Sequence, residues 1–355
     1  MKYWTKKAAA VLLAGGILPA SLTGCGSEAI DHSEVVVTVA GEEVPLGVAN
    51  FSARMDQASV ESYYESMMGT SVGSEIWSSE VEEGVTYEDS VKEGIMESLQ
   101  NLYLLKQHAK EYGVELTDED KAEIDEAVAE FDEDNSLEEK ELISGDEEYV
   151  RTYLELKTIQ AKMEKSMKEG VDEVVSDEEA AQKAMSYVYL EFNTTDADGN
   201  SVEMTEKEKE ELKAKADALV ASLKRNPGTT IDTVAPEYKV EVSKVTFDSE
   251  SVSPNADFIA AAEGLEAAGD VTDVIETDYG YYVGQLTSLM DDAATEAKKL
   301  EIVEERKTAQ YTELLELWKK AAEITVNDDV WAKIDFKTIV VTYKDTSEEY
   351  DNTTE

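Results

Sequence analysis

The alternation of apolar and polar positions divides the chain into a helical stretch, a mixed stretch and a returning helix. From Tyr87 to Tyr112 the residues Val91, Ile95, Leu99, Leu102, Leu105 and Ala109 recur every three or four positions, the stripe of an amphipathic helix that Gly113 ends. Thr117, followed by the acidic turn Asp118-Glu119-Asp120, starts a second helix carrying Ile124, Val128 and Phe131. A third runs from Glu147 to Lys168 with Val150, Leu154, Ile159 and Met163 turned inward, and its charged outer face reads as a solvated surface. Ahead of these, Glu34 to Gly41 reads as a short strand, and Val44-Pro45-Leu46 opens a helix through Phe51 and Met55.

The period changes after residue 176. Ser176 to Glu179 has the form of a capping box and predicts a short helix, after which Met185 to Phe192 alternates as a strand. Thr205 and Glu208 form a second box, for a helix with Leu212, Ala216, Leu219, Val220 and Leu223 inward, stopped by Asn226-Pro227-Gly228. Val240 to Phe247 predicts a strand and Asp257 to Ala268 a helix closed by Gly269. Strands from Val271 to Glu276 and from Tyr281 to Leu289 are joined by a turn in which Gly280 is expected at positive φ. The last helix, Ala293 to Glu323, carries the stripe Leu300, Val303, Tyr311, Leu314, Leu315, Trp318 and Ala322, which must find an apolar partner. The helical region before residue 180 supplies one. The expected fold is therefore α+β: a helical domain of residues 34–180 and 293–340, an α+β domain of residues 181–292 inserted in it, and an acidic tail over 341–355.

The amino terminus changes the picture from fold to address. Lys2, Lys6 and Lys7 precede the apolar run Ala8 to Leu18, too short to remain as a spanning helix, and then Leu22-Thr23-Gly24-Cys25. This reads as a signal peptide over residues 1–24 whose end resembles the lipobox of bacterial lipoproteins, which implies Cys25 as the lipid attachment residue and residues 25–33 as the tether. Two acyl chains anchor stably where one does not, which places the expected mature chain on the outer face of the cytoplasmic membrane.

Composition removes whole classes of chemistry. Eighty acidic against 32 basic residues give a net charge of -48, and such a surface repels a phosphate backbone, so no nucleic-acid partner is expected. One Cys and two His leave no Cys/His metal cluster, no redox pair and no internal disulfide. Neither a cofactor nor a metal is expected. Asp196-Ala197-Asp198-Gly199-Asn200 has its Gly too early for a calcium-binding EF-hand loop and reads as a solvated turn. His32 falls in the tether and His108 in the helical region, where a surface or interhelical role is expected.

Taken together, the lipobox, the Val36-to-Val39 strand with its Gly41 turn, the helical region, the α+β insert and the returning helix resemble the PrsA and SurA class of exported foldases, which carry a parvulin-type (FKBP-like) peptidyl-prolyl isomerase domain. Locally, Gly269 to Val283 is similar to the parvulin ending of Gly turn, strand and hairpin, and Ser186-Tyr187-Val188-Tyr189-Leu190 to its opening strand. The resemblance implies a membrane-anchored foldase whose partners are unfolded or partly folded exported proteins. It places the catalytic positions at Tyr187 and Tyr282, where the class has His, and an apolar substrate pocket at Phe258 and Ile259. Ala235 to Lys239 is shorter than the corresponding loop of the class and lacks its Gly-Gly-Asp-Leu-Gly-like run. With phenols in place of imidazoles, isomerase activity is expected to be weak or lost, because a pKa near 10 makes a poor relay at neutral pH. The alternatives are an active isomerase that uses Tyr for His and, from another class, a solute-binding lipoprotein, which would need two lobes of repeated strand-helix-strand units.

Overall fold

A computed structural model describes residues 15–18, 30–69, 75–195, 199–226 and 228–343. The chain divides into two compact units, one of residues 1–170 and 308–355 and the other of residues 171–307. The fold is α+β. Cys25 and most of the segment read as a leader and tether lie outside the described residues, as does the acidic end from residue 344. Among the described residues no helix is long and apolar enough to cross a membrane.

The first unit is built on strands β1 (Gly15–Leu18), β2 (Val35–Val39) and β3 (Glu42–Pro45) and helix α1 (Leu46–Met68). The hairpin β4 (Glu80–Glu82) and β5 (Val85–Thr86) leads into α2 (Tyr87–His108), followed by α3 (Asp118–Asp134), α4 (Leu137–Ile143) and α5 (Glu147–Met167). Side chains fix the starts: Thr86 with Asp89, Thr117 with Asp120 and Ser136 with Glu139 close reciprocal capping boxes that satisfy otherwise orphaned N–H groups. Gly113, at φ 65°, ends the turn after α2, the left-handed position its lack of a Cβ allows.

The second unit holds β6 (Lys183–Glu191), β7 (Asn193–Thr195), β8 (Ser201–Glu203), α6 (Glu206–Arg225), α7 (Ile231–Val234), β9 (Ser243–Phe247), α8 (Ala256–Glu263), β10 (Ile275–Thr277) and β11 (Gly280–Ser288). Its main sheet is antiparallel throughout, in the order β10-β11-β6-β9. Entry and exit are tied together. The Gln182 carbonyl accepts from the Asp291 N–H at 2.7 Å, and Lys299, Arg306 and Lys307 pair with Asp177, Glu179 and Glu173.

Helix α9 (Asp292–Ala321) passes through the unit boundary; then β12 (Ile324–Val326), α10 (Asp328–Trp331) and β13 (Val340–Tyr343) finish the first unit. Strand β12 adds to β2, giving a three-stranded sheet in the order β12-β2-β3, and β13 pairs with β1. Tyr311, Leu314, Leu315 and Trp318 of α9 pack on Leu105, Ala109, Met163 and Met167 of the helical region. Leu300, expected on the same stripe, is 71% exposed and belongs to the other unit's part of the helix.

Several expectations are corrected. Ser176 accepts from the Glu179 N–H as a cap should, yet only a turn follows, because Gln182 is held by Thr295 and Asp291 and Lys183 already begins β6. Helix α8 stops at Glu263, not Ala268: the Lys183 ammonium binds the Glu263 carbonyl and closes the helix end. Residues 341–343 are strand and not acidic tail. His32 is docked and not part of a free tether, its Nδ1 lying 2.6 Å from Ser144 Oγ. His108 stacks on Trp318 at 4.1 Å between two helices.

A buried polar cluster joins α1 to the C-terminal segment. Glu61 Oε1 accepts from Trp77 Nε1 and Gln57 Nε2, both at 2.8 Å, while Oε2 accepts from the Val341 N–H at 2.7 Å. Gln57 Nε2 also lies 2.7 Å from the Ile339 carbonyl and 3.1 Å from that of Phe336, and Arg54 reaches Gln57 Oε1 and the Asp335 carbonyl. Burial pulls the Arg54 guanidinium down to about 10, still cationic at neutral pH, and raises the Glu61 carboxyl.

One turn before Glu61, largely buried Asp56 is pushed up to about 6 by desolvation, with Lys157 pulling against it. An unfolded Asp titrates near ~3.9, so between about pH 4 and 6 the folded chain keeps a proton that the unfolded chain has lost. Stability therefore falls as pH rises through that window, and the cost persists at neutral pH. Asp56→Asn is expected to raise stability at pH 7.5 by about 1–3 kcal/mol and to flatten the slope between pH 4 and 6 in urea unfolding. Glu61 leaves a residual slope of the same sign.

Candidate functional site

The site is one face of the second unit's sheet. Side chains alternate along a strand, so β6 sends Met185, Tyr187 and Tyr189 to one face and Ser186, Val188 and Leu190 to the other. On β11, Tyr282, Gly284 and Leu286 share the first face, paired across the ladder with Tyr189, Tyr187 and Met185. Helix α6 covers the second face with Ala216, Leu219, Val220 and Leu223, over Val188, Leu190 and Val283. The first face is covered only in part, by Phe258, Ile259 and Ala262 of α8.

Helix α8 is pinned at both ends. Asn255 Oδ1 caps its start, accepting from the Phe258 N–H at 3.0 Å, and Lys183 closes its end. This sets the Phe258 ring onto the sheet, stacked on Tyr282 at 4.9 Å and tilted against Tyr187 at 5.5 Å. Tyr187 and Tyr282 lie 6.0 Å apart, and Tyr189 stacks on Tyr282 at 4.5 Å. The sequence-predicted residues Tyr187, Tyr282, Phe258 and Ile259 are thus brought together in one cluster.

Two glycines make the stacking possible. A Cβ at Gly284 would stand 2.8 Å from Phe258 Cζ and 2.4 Å from Met185 Sδ, so only a hydrogen lets the ring reach the sheet. At Gly280 a Cβ would meet the Leu190 carbonyl at 2.5 Å and Tyr189 Cε2 at 2.6 Å. Gly280 is therefore required by close approach and not by the positive φ that the turn suggested; it is absent from the positive-φ glycines. Sequence reasoning missed Tyr189, Gly280 and Gly284 as parts of this face. The spacing Gly280-x-Tyr282-x-Gly284, opposite Tyr187-x-Tyr189, is the signal that could have found them.

Exposure decides what the face offers. Phe258 and Ile259 are fully buried and Tyr282 is 8% exposed, whereas Tyr189 is 36% exposed and Tyr279, beside it, 74%. The Tyr189 hydroxyl donates to the Tyr279 carbonyl at 2.9 Å. Among the described residues neither the Tyr187 nor the Tyr282 hydroxyl has a hydrogen-bond partner. Burial and the neighbouring Tyr187 raise Tyr282, and burial and then Tyr282 raise Tyr189, so both stay un-ionised at neutral pH. Un-ionised phenols donate a hydrogen bond to an amide carbonyl but do not take up a proton. Among the described residues no group of His, Cys, Asp and Glu is placed to hold a metal ion.

With that geometry in view, the likeness to known proteins can be placed. No protein-family model matches the chain. It is 25% identical over 329 residues to foldase protein PrsA of Clostridium botulinum (strain Langeland), covering 87% of this chain and 94% of that one. The PrsA of strain Okra is 25% identical over 275 residues, covering 73% and 80%. Among solved structures, PrsA of Streptococcus pneumoniae aligns at 21% identity over 70% of this chain and 93% of that one, with a TM-score of 0.30. A SurA-like chaperone of Campylobacter jejuni aligns at 11% identity over 82% and 99%, with a TM-score of 0.28. The curated relatives are foldases, and the likeness of the chain is to that class. Within it, the sequence likeness runs to PrsA over most of the chain, and the protein is PrsA-like.

Gly284→Ala is expected to cost about 1–3 kcal/mol through forced displacement of Phe258, and Phe258→Ala about 3–5 kcal/mol. Tyr282→Phe, which removes a hydroxyl with no partner, should stay within about 0.5 kcal/mol of the parent. Denaturant unfolding of the three variants checks the order.

Proposed function

We propose that this chain is a lipid-anchored extracytoplasmic foldase whose second unit is a parvulin-like domain that binds extended chains with weak or lost prolyl isomerisation. The foldase reading is carried by the likeness to PrsA across nearly the whole of both sequences. The anchored location is supported by Leu22-Thr23-Gly24-Cys25 behind a basic and apolar leader. The loss of turnover is supported by the site. Rotation about an X-Pro bond crosses a barrier of about 18–20 kcal/mol without bond chemistry, so catalysis means gripping the ring and favouring the twisted amide. Here Phe258 is closed down between Tyr187 and Tyr282, and no imidazole stands beside them. What remains on the face is a partly exposed aromatic shelf of Tyr187, Tyr189 and Tyr279 with hydroxyl donors. Such a shelf favours binding an extended segment over turning one.

The full chain is expected to delay aggregation of a reduced, unfolded client at equimolar ratio, followed by light scattering. On a short Xaa-Pro peptide, where uncatalysed exchange takes tens of seconds or longer, it should give little or no acceleration. Absence of any delay would refute the foldase reading. Robust isomerisation abolished in a Tyr187→Phe, Tyr282→Phe variant would replace it with an active isomerase. Cys25→Ala should leave an uncleaved precursor or release the protein from membranes on cell fractionation; a variant processed and membrane-bound like the parent would refute the anchor.

A further inference from the structure

The short strand β13 has two edges, and they are occupied by different kinds of group. Successive residues of a strand direct their N–H and C=O to opposite edges. The Val341 N–H is bound by Glu61 Oε2 at 2.7 Å and the Tyr343 N–H by Ser62 Oγ at 3.0 Å. The Ile339 carbonyl, of the same parity, accepts from Gln57. One edge is therefore satisfied permanently by side chains of α1. The other edge presents the backbone groups of Val340 and Thr342, and these face β1, with Gly16 opposite Thr342 and Leu18 opposite Val340.

Strand β1 is Gly-Gly-Ile-Leu, part of the leader that the sequence marks for removal. Its loss uncovers two adjacent sets of backbone donors and acceptors beside an apolar core, a template for another strand. The helix beneath continues the surface. Ser59 touches the Tyr343 hydroxyl at 2.6 Å, and Tyr63 and Met67, one and two turns on along the same side of α1, are 60% and 66% exposed.

We infer that the outer edge of β13 is a strand-addition site that takes an extended, apolar, uncharged segment of an unfolded polypeptide, antiparallel and in the register that Gly15–Leu18 now occupies. Until the leader is removed, the chain's own β1 blocks it. The seated segment identifies the occupant's chemistry. It is uncharged and pairs with β13 along the backbone, so an extended, uncharged segment fits the edge, and the surrounding net charge of -48 disfavours acidic segments. This inference deepens the foldase reading and rests on it for the identity of the polypeptide, but the edge itself is tested separately.

The probe is a fluorescent peptide of residues 13–20, Leu-Ala-Gly-Gly-Ile-Leu-Pro-Ala, in three forms: unmodified, N-methylated on the amides matching Gly16 and Leu18, and N-methylated on those matching Gly15 and Ile17. The targets are the full chain and its Gly16→Pro, Leu18→Pro variant, in which β1 can no longer donate to β13. The unmodified peptide should bind the variant at least about tenfold more tightly than the parent. Methylation at the Gly16 and Leu18 positions should weaken binding about tenfold or more, as the loss of two hydrogen bonds requires, and the other pattern by less than about threefold. Equal effects of the two patterns, or no binding to either protein, would overturn the inference. Aggregation of an unfolded client, measured on the same two proteins, separates the readings. Suppression without the methylation parity refutes strand addition and leaves the foldase standing; parity without suppression does the reverse.

Discussion

A single buried carboxylate organises the first unit. Glu61 is 2% exposed, and burial alone would leave its charge costly; three donors from three parts of the chain, Gln57, Trp77 and the Val341 backbone, compensate it. Because a carboxylate only accepts, it can stand in for the carbonyl edge of a missing strand, which is the role it plays against β13. The C-terminal segment is thus held on α1 by directional polar contacts as well as by the apolar contacts of Ile339 and Val341. Removing one partner would strand the others in a dry site, so the cluster acts as a unit. It also occupies one edge of β13 and leaves the other to β1.

The second unit solves the opposite problem, covering one sheet face fully and the other incompletely. A 20-residue helix, α6, lies over one face, whereas eight-residue α8 packs on Met185, Tyr187, Tyr282 and Leu286 of the other and leaves Tyr189 36% exposed. Its last turn is held by Lys183 at the start of β6, whose ammonium donates to the Glu263 carbonyl. On the covered face Gln285 accepts from the Ile231 N–H and donates to the Thr229 and Gly269 carbonyls. The same strand therefore carries a fully covered face and a partly covered one.

Much of this was legible in the sequence where local rules decide. The N-cap at Thr117 and the capping box at Thr205 start helices as read, and the alternation through Tyr187, Val188 and Tyr189 sorts the two sheet faces as a strand must. The failures occur where a distant residue overrides a local signal. The box at Ser176 gives way to a turn because the following residues belong to the sheet. The helix from Asp257 ends at Glu263, where the Glu263 carbonyl accepts from Lys183 and the Glu266 and Ala267 N–H groups bind the Asp270 carboxylate instead of continuing the helix. Gly280 looked like a turn residue, and its reason lies in a ring on another strand. Strand β13 was hidden because a four-residue run has no period of its own, and the carboxylate that holds it lies in α1. The composition of the site was readable; its closure, with Phe258 stacked on Tyr282 and tilted against Tyr187, was not, since that arrangement needs the register of β6 against β11.

The acidic surface and the neutral binding features fit together physically. A carrier of unfolded chains must expose apolar groups without associating with its own copies, and a net charge of -48 supplies mutual repulsion over distances of about a Debye length, ~8 Å at physiological salt. Inside that layer the candidate contact groups carry no charge: the tyrosine shelf, the Tyr63 and Met67 side chains, and the backbone edge of β13. Charge acts at long range and cannot select a short apolar segment, while stacking and backbone hydrogen bonds act only at contact. Separating the two lets solubility rise with surface charge without a desolvation cost at the contacts themselves, because no charged group has to be buried when a neutral segment docks. A basic patch at the same place would have bound more tightly and less selectively in so acidic a molecule, pairing with the chain's own carboxylates before any client arrived.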